Sequence, residues 1–494
     1  MVRRESGYPL VVHGHFRSIT SKVDEWLLIP AVTIGHFATV VDSSGTAIVL
    51  PSIAEEFDLN IAVVAWVTVA TLLTVISLLL PMGRLADLAG RKKIYLRGLR
   101  VMSSGLVLTA ISGNLPLLLI GRVITGVGAA MVMTSAIAIV IAIFPTRERG
   151  RALGVIMLAV GLGAVIGPVV SGALVDALGW RAPFAFTASV TFAGWILARN
   201  VLDGRRLDRS EPNRTDRTDW PGAVASTTGL AILILALTNA GRLGWGSPLI
   251  VAGFLSFVLL FVSFVAWESV APAPMIDLAI FRIRQFSWSM TARFLGFLSN
   301  GPAVFLMPFY LQDVTGRSAS QTGLLVAPLP AVMALVGARA GSLSDRIGFR
   351  TFIVLGLGLQ LGTLLSFSTF DRSTRVEVIV ATMVIHGLGS GLWMVPNMSA
   401  AVGAVPPSVH SIVGALVNLV RSVANVTSVA ISSAIVAGAL IAVDSVDVGV
   451  DDSGADIDAF VSGMHTVFRL LIVAVVLAMA ATVMASRTAE PTAT

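Results

Sequence analysis

Fourteen stretches of mostly apolar residues, separated by short polar connections, run along the chain: 26–50, 61–82, 94–112, 115–143, 152–178, 182–201, 221–240, 249–268, 287–311, 321–342, 351–370, 376–402, 411–442 and 464–486. A helix crossing a bilayer needs about 20 such residues, so each stretch predicts one transmembrane helix. The fourth and fifth are kept apart by "FPTRERGR", residues 144–151. The pattern predicts an all-α membrane protein of fourteen spans.

The cations orient these spans. With the N-terminus placed inside, 24 of the 34 Lys and Arg fall in tails and loops on that side, and five (Arg181, Arg242, Arg317, Arg372, Arg375) on the other. Positive loops stay cytoplasmic, so both termini are expected inside. The predicted outer loop 443–463 carries Asp444, Asp447, Asp451, Asp452, Asp456 and Asp458 and no cation. Residues 1–25 hold cations but no apolar run, which predicts a cytoplasmic tail rather than a signal peptide.

A repeat lies within the pattern. "GRLADLAGRK" (83–92) closes the second span and "GSLSDRIGFR" (341–350) closes the tenth. "TGVGAA" (125–130) in the fourth span returns as "HGLGSG" (386–391) in the twelfth. Spans 1–6 therefore correspond to spans 9–14, with two spans inserted between them. The predicted organisation is a tail (1–25), a six-helix bundle (26–201), a linker (202–220), two inserted helices (221–268), a linker (269–286), a second six-helix bundle (287–486) and a tail (487–494).

These motifs carry a resemblance. Gly83-x-Leu85-x-Asp87-x-x-Gly90-Arg91-Lys92 resembles the loop signature between the second and third helices of the major facilitator superfamily. Gly163-x-x-x-Gly167-Pro168-x-x-Ser171-Gly172 resembles the antiporter signature of its exporters, and "VDSSGTAIVLPSI" (41–53) and "GRVITGVGAA" (121–130) resemble two further signatures. "DWPGA" (219–223), "GWGSP" (244–248), "FYLQDVTG" (309–316) and "NLVRSVANV" (418–426) resemble the fourteen-helix drug/proton antiporter branch. The resemblance implies a secondary transporter in which the loop around Gly83, Asp87, Gly90 and Arg91 latches the two halves together. Asp345 and Arg346 would be the second copy of that latch. For Arg91 the competing reading is that the cations only enforce topology. Acidic residues contribute little to topology, so Asp87 has no such explanation. In span 5, Gly163, Gly167, Pro168 and Gly172 combine small residues that let helices approach with a proline that bends the helix. Ordinary packing and a seal against proton leak both fit them.

One acid stands apart. Asp42 lies sixteen residues into the first span and eight before its end at Leu50. A charge at mid-membrane costs at least about 2.5–3.5 kcal/mol, so it should face water or a partner. Gly35, Thr39, Asp42 and Thr46 recur at helical spacing as a small, polar stripe. Arg122, seven residues from the outer end of span 4, sits at similar depth and is a candidate partner. A nearby arginine favours the carboxylate and an apolar environment favours the acid. A cavity that opens and closes could therefore drive proton uptake and release, the role the resemblance implies for Asp42 and Arg122. A permanent structural ion pair is the alternative. The fourth-span signature usually has glutamine three residues after the arginine; Thr125 stands there.

Composition narrows the chemistry. Only 13% of residues are charged and no cysteine is present, whereas soluble domains carry about 25% charged residues. There is no nucleotide-binding loop, metal-ligand spacing or catalytic constellation, so neither an enzyme, a cofactor nor a nucleic-acid partner is expected. Candidate cavity residues are Thr39, Thr46, Thr125, His386, Trp393, Asn397, Arg421, Met307 and Tyr310, against the plainer reading that His386 is a hydrogen-bonded structural residue and that Met and aromatic side chains pack. Arg293, near the end of span 9, is expected to snorkel to the surface. The reading that results is a monomeric multi-pass transporter of the cell membrane. It would exchange protons for lipophilic or amphipathic solutes, with neutral, monocationic and anionic solutes all open. A proton-independent or lipid-moving facilitator and a non-transporting receptor are the competing functions.

Overall fold

The computed structural model describes residues 28–144, 146–202, 220–271, 278–406, 409–444 and 453–487. Among them there is no strand. The long helices are α1 (Ile29–Phe57), α2 (Trp66–Ala89, entered through a single turn at Ile61–Val64), α3 (Arg91–Ala110), α4 (Leu115–Ile143), α5 (Thr146–Leu178), α6 (Ala182–Val201), α7 (Trp220–Leu243) and α8 (Pro248–Glu268). After a 3₁₀ turn at Leu278–Arg282 come α9 (Arg284–Phe309), α10 (Pro328–Ile347, led by a short helix Ala319–Val326), α11 (Phe349–Phe367), α12 (Val376–Gly403), α13 (His410–Asp444) and α14 (Ser453–Arg487).

Twelve of the described helices are long and apolar enough to cross a membrane. The two twenty-residue helices outside that set are α3 and α6. Five cations between Arg91 and Arg100 dilute the first, and Arg199 and Asn200 end the second. Both nevertheless pack in the first half, α3 on α4 and α6, and α6 also on α1. The predicted acidic loop 443–463 is shorter than expected, because α13 runs to Asp444 and α14 begins at Ser453. Of the predicted linkers 202–220 and 269–286, residues 203–219 and 272–277 fall outside the described residues, as do both tails except for the last helical residue, Arg487.

Local chemistry sets the helix ends. Asn114 accepts from the Leu117 amide at the start of α4, and Ser318 and Gln321 form a capping box before α10, each satisfying donors left free at a helix N-terminus. The turns into α3 and α11 are two copies of one device. Gly90 (φ 98°, ψ 124°) donates to the Ala86 carbonyl, and Gly348 (φ 101°, ψ 140°) donates to that of Ser344. Positive φ of this kind is freely available only to glycine, which explains why both repeats keep one there.

The same doubling governs packing. In the first half α1 packs on α5 and α6, α2 on α4, and α3 on α4 and α6. Eight helices later α9 packs on α13 and α14, α10 on α12, and α11 on α12 and α14. The halves meet where α5 touches the helix leading α10, where α2 touches α13, and where α1 crosses α9. The α7–α8 hairpin leans through α7 on α13 and α2. It leaves an apolar cavity of about 310 Å³ bordered by Ile76, Leu230, Phe257, Phe261, Leu416 and Leu419.

Candidate functional site

Asp42 is buried on α1. Arg122 Nη1 on α4 donates to Asp42 Oδ1 at 2.8 Å, with the two side chains 1% and 4% exposed. The guanidinium is fixed on its other edges as well. Nη2 donates to Thr46 Oγ1 (3.2 Å), Nε donates to the Val67 carbonyl of α2 (3.0 Å), and the Phe184 ring of α6 lies 5.4 Å from its carbon. Thr46 Oγ1 donates in turn to the Asp42 carbonyl (2.6 Å), and Thr71 Oγ1 to the Arg122 carbonyl (3.2 Å). A paired carboxylate and guanidinium with most donors directed is the arrangement in which a buried charge pair is tolerated. Thr39 turns its hydroxyl to the Gly35 carbonyl one turn below. Thr125 stays apart from the pair: its hydroxyl donates to Gly121 of its own helix (2.8 Å), and its backbone abuts Gly105.

The α5 glycines face two different surfaces. A side chain at Gly163 would meet Val40 and the Phe37 carbonyl of α1, and one at Gly167 would meet Ser44 and the Val41 carbonyl. Ser44 Oγ donates to the Gly163 carbonyl at 3.2 Å across this contact. Gly172 instead abuts the Ala319 carbonyl in the second half, and the Pro168 carbonyl abuts Gly323. At this end, predicted as outer, Asp176 at the foot of α5 accepts from Ser318 Oγ (2.7 Å), Ala319 N (3.1 Å) and Ser320 N (2.9 Å). Gln312 Nε2 donates to the Ile48 carbonyl (3.1 Å). The two halves are thus sutured at the predicted outer end. Asp176 and Gln312 escape sequence reasoning because each acts across the seam between halves, although the Ser318–Gln321 capping-box spacing was a readable signal of the acceptor helix.

In the latch region, Arg91 Nη1 donates to the Ala138 carbonyl of α4 (3.2 Å) and Lys92 Nζ to the Leu202 carbonyl, both within the first half. Gly83 faces Thr134 of α4. Arg346 is exposed. The side chains of Asp87 and Asp345 lie outside the described part of the structure.

Most of the cavity candidates in the second half are sealed in its core in this conformation. His386, 0% exposed, places Nδ1 2.8 Å from Thr363 Oγ1 and Nε2 2.8 Å from Asn300 Oδ1, which ties α12 to α11 and α9. Trp393 fills the space left by Gly296 and meets Phe297 edge-on. Asn397 Nδ2 donates to the Ser289 carbonyl (3.1 Å). Met307 is buried, and Tyr310 is buried with its hydroxyl donating to the Asp371 carbonyl (2.7 Å). These side chains are packing here because their surroundings belong to the same half. Arg421 alone of that group on this half is partly exposed. Arg293 does not snorkel: it is 4% exposed, donates to the Val417 carbonyl of α13 (3.0 Å) and the Met394 carbonyl of α12 (3.5 Å), and lies 4.9 Å from the Phe297 ring centre.

The chain is similar to membrane transporters of several names. It is 28% identical over 400 residues to the riboflavin transporter RibZ of Clostridioides difficile, covering 81% of this chain and 85% of that protein. It is 29% identical over 369 residues to the multidrug transporter MdtP of Bacillus subtilis (74% and 67%). The methylenomycin A resistance protein of B. subtilis is 28% identical over 430 residues (86% and 90%). Among solved structures, an inward-facing, unoccupied bacterial homologue of the human lysosomal transporter Spinster superposes with a TM-score of 0.68 at 17% identity over 96% of this chain and all of that one, a likeness of fold. A model of the Major Facilitator Superfamily matches residues 32–429. Helical composition, doubled packing and these matches together make the chain a multi-pass membrane transporter that belongs to the major facilitator superfamily.

Proposed function

We propose that the protein is a proton-coupled exporter of lipophilic or amphipathic solutes, working by alternating access between two six-helix bundles. In this reading all fourteen long helices span the cell membrane, both termini are cytoplasmic, and the monomer is the working unit. The observation that carries it is the sealed Asp42–Arg122 pair, a charge held deep in the first bundle at the cost of its hydration. Movement that draws the guanidinium away leaves the carboxylate in apolar surroundings, where the protonated form is favoured. Re-forming the pair expels that proton. Substrate entry and proton release are then coupled through one side chain.

The resistance and multidrug names of two relatives support export. The density of hydrogen bonds around Arg122 also suits a second reading, a structural tether in a proton-independent facilitator. Proton release from purified protein on adding candidate solutes, repeated with Asp42→Asn, separates them. Release present in the wild type and lost in the variant is the expected outcome. A wild type that binds solute without releasing protons would leave a transporter and remove the antiport mechanism.

A further inference from the structure

Three polar residues interrupt α13 within a membrane-spanning stretch of mean hydropathy 1.8: Asn418, Arg421 and Asn425. At 100° per residue they fall within an arc of about 60° on one face of the helix. Val413 and Val417 belong to the core shared with α9, and Leu416, Leu419 and Val423 line the apolar cavity against α7 and α8, on the opposite side. The polar face is the one these contacts leave uncovered: Asn418 is exposed and Arg421 and Asn425 are partly so. Polar side chains at membrane depth border water or protein rather than lipid. With the predicted outer end sutured by Asp176 and Gln312, that water reaches the face from the other end, where α13 begins.

The charge on this face is uncompensated. The first half answers its buried arginine with Asp42. Arg293, whose Nε bonds the Val417 carbonyl one turn before Arg421, has carbonyl oxygens and an aromatic ring as its partners. Among the described residues, no carboxylate pairs with either guanidinium. Arg421, with an amide group on each side along the helix and the buried Arg293 cation behind it, makes a wall that an anion completes, by Coulomb attraction and charge-assisted hydrogen bonds in a medium of reduced dielectric.

We infer that the Asn418–Arg421–Asn425 face of α13 is an anion-binding wall of the solute pathway, so that the transported class is organic anions with an apolar body and a carboxylate, sulfonate or phosphate head. This rests on the transporter reading above and narrows its substrate class, independently of proton coupling. A matched fluorescent pair tests it: dansylglycine (anion) and monodansylcadaverine (cation), titrated into protein held in phosphatidylcholine nanodiscs. The wild type should bind the anion at least about tenfold more tightly than the cation. Arg421→Gln should weaken the anion by about tenfold and leave or improve the cation, while Arg421→Lys keeps most of the anion affinity. Asn418→Asp, at an exposed position, should mimic Arg421→Gln by supplying an internal counter-ion, and so covers the case in which the glutamine variant fails to fold. Equal or tighter binding of the cation, or anion binding unmoved by both variants, overturns the inference. Because binding is read without a proton gradient, loss of anion binding with Asp42-dependent proton release intact, or the reverse, tells the two readings apart.

Discussion

Arg122 is held by geometry as much as by charge. Its three nitrogens serve three different acceptors, the Asp42 carboxylate, the Thr46 hydroxyl and the Val67 carbonyl. Lysine offers a single ammonium on a flexible stem and cannot reproduce that fork. Hydrogen bonds to charged groups contribute about 1.5–3 kcal/mol each, so Arg122→Lys should lower unfolding stability by at least about 1.5 kcal/mol although the charge is kept. Denaturation of the two proteins in the same detergent measures it; a midpoint equal to the wild type would mean that the charge alone matters. The pairing of Asp42 with Arg122 was legible as a candidate from counting residues into their spans. The exclusion of Thr125 was not, since which way a hydroxyl turns depends on Gly105 of another helix.

At the scale of elements, α5 shows how small residues position a site. Gly163 and Gly167 bring α5 onto α1, the helix that carries Asp42. An added methyl at Gly167 would lie 2.9 Å from the Val41 carbonyl and closer still to Ser44, while one at Gly161 would lie 3.5 Å from Ala334, an ordinary contact. Backbone cannot yield as a side-chain tip can, so Gly167→Ala should destabilise by about 1–3 kcal/mol and Gly161→Ala should be near neutral. Thermal unfolding of both variants checks the contrast, and equal effects would count against the close approach. The motif spacing announced small residues for packing. That Gly172, in the same motif, serves the other half of the molecule emerged only from the contact with Ala319.

At the scale of the whole molecule, the suture at Asp176 holds the predicted outer end closed. Its carboxylate accepts one hydroxyl and two amide donors from the start of the helix leading α10. The negative charge also sits at that helix N-terminus, where it is favoured. Asp176→Ala should shift the population toward a form open at that end. The chain has no cysteine, so Ile48→Cys, whose carbonyl meets Gln312 in the seam, can be labelled without background. Labelling by an impermeant maleimide should be slow in the Ile48→Cys protein and several-fold faster when Asp176→Ala is added. Equal rates would show that the seam does not depend on this carboxylate.

The all-helical pattern, the doubling of the motifs, the Gly90 and Gly348 turns and the buried acid all follow from sequence, because they depend on local properties: apolar length, spacing, backbone freedom at glycine and the cost of a charge in lipid. Apart from Arg122 beside Asp42, the partners of those residues do not follow. Sealing of His386, Trp393 and Tyr310 in the second half, the bridging of three helices by Arg293, the suture at Asp176 and the uncovered polar face of α13 were decided by tertiary structure. Each depends on which faces of helices distant in sequence are brought together, and helical periodicity places a residue on a face without naming what that face meets.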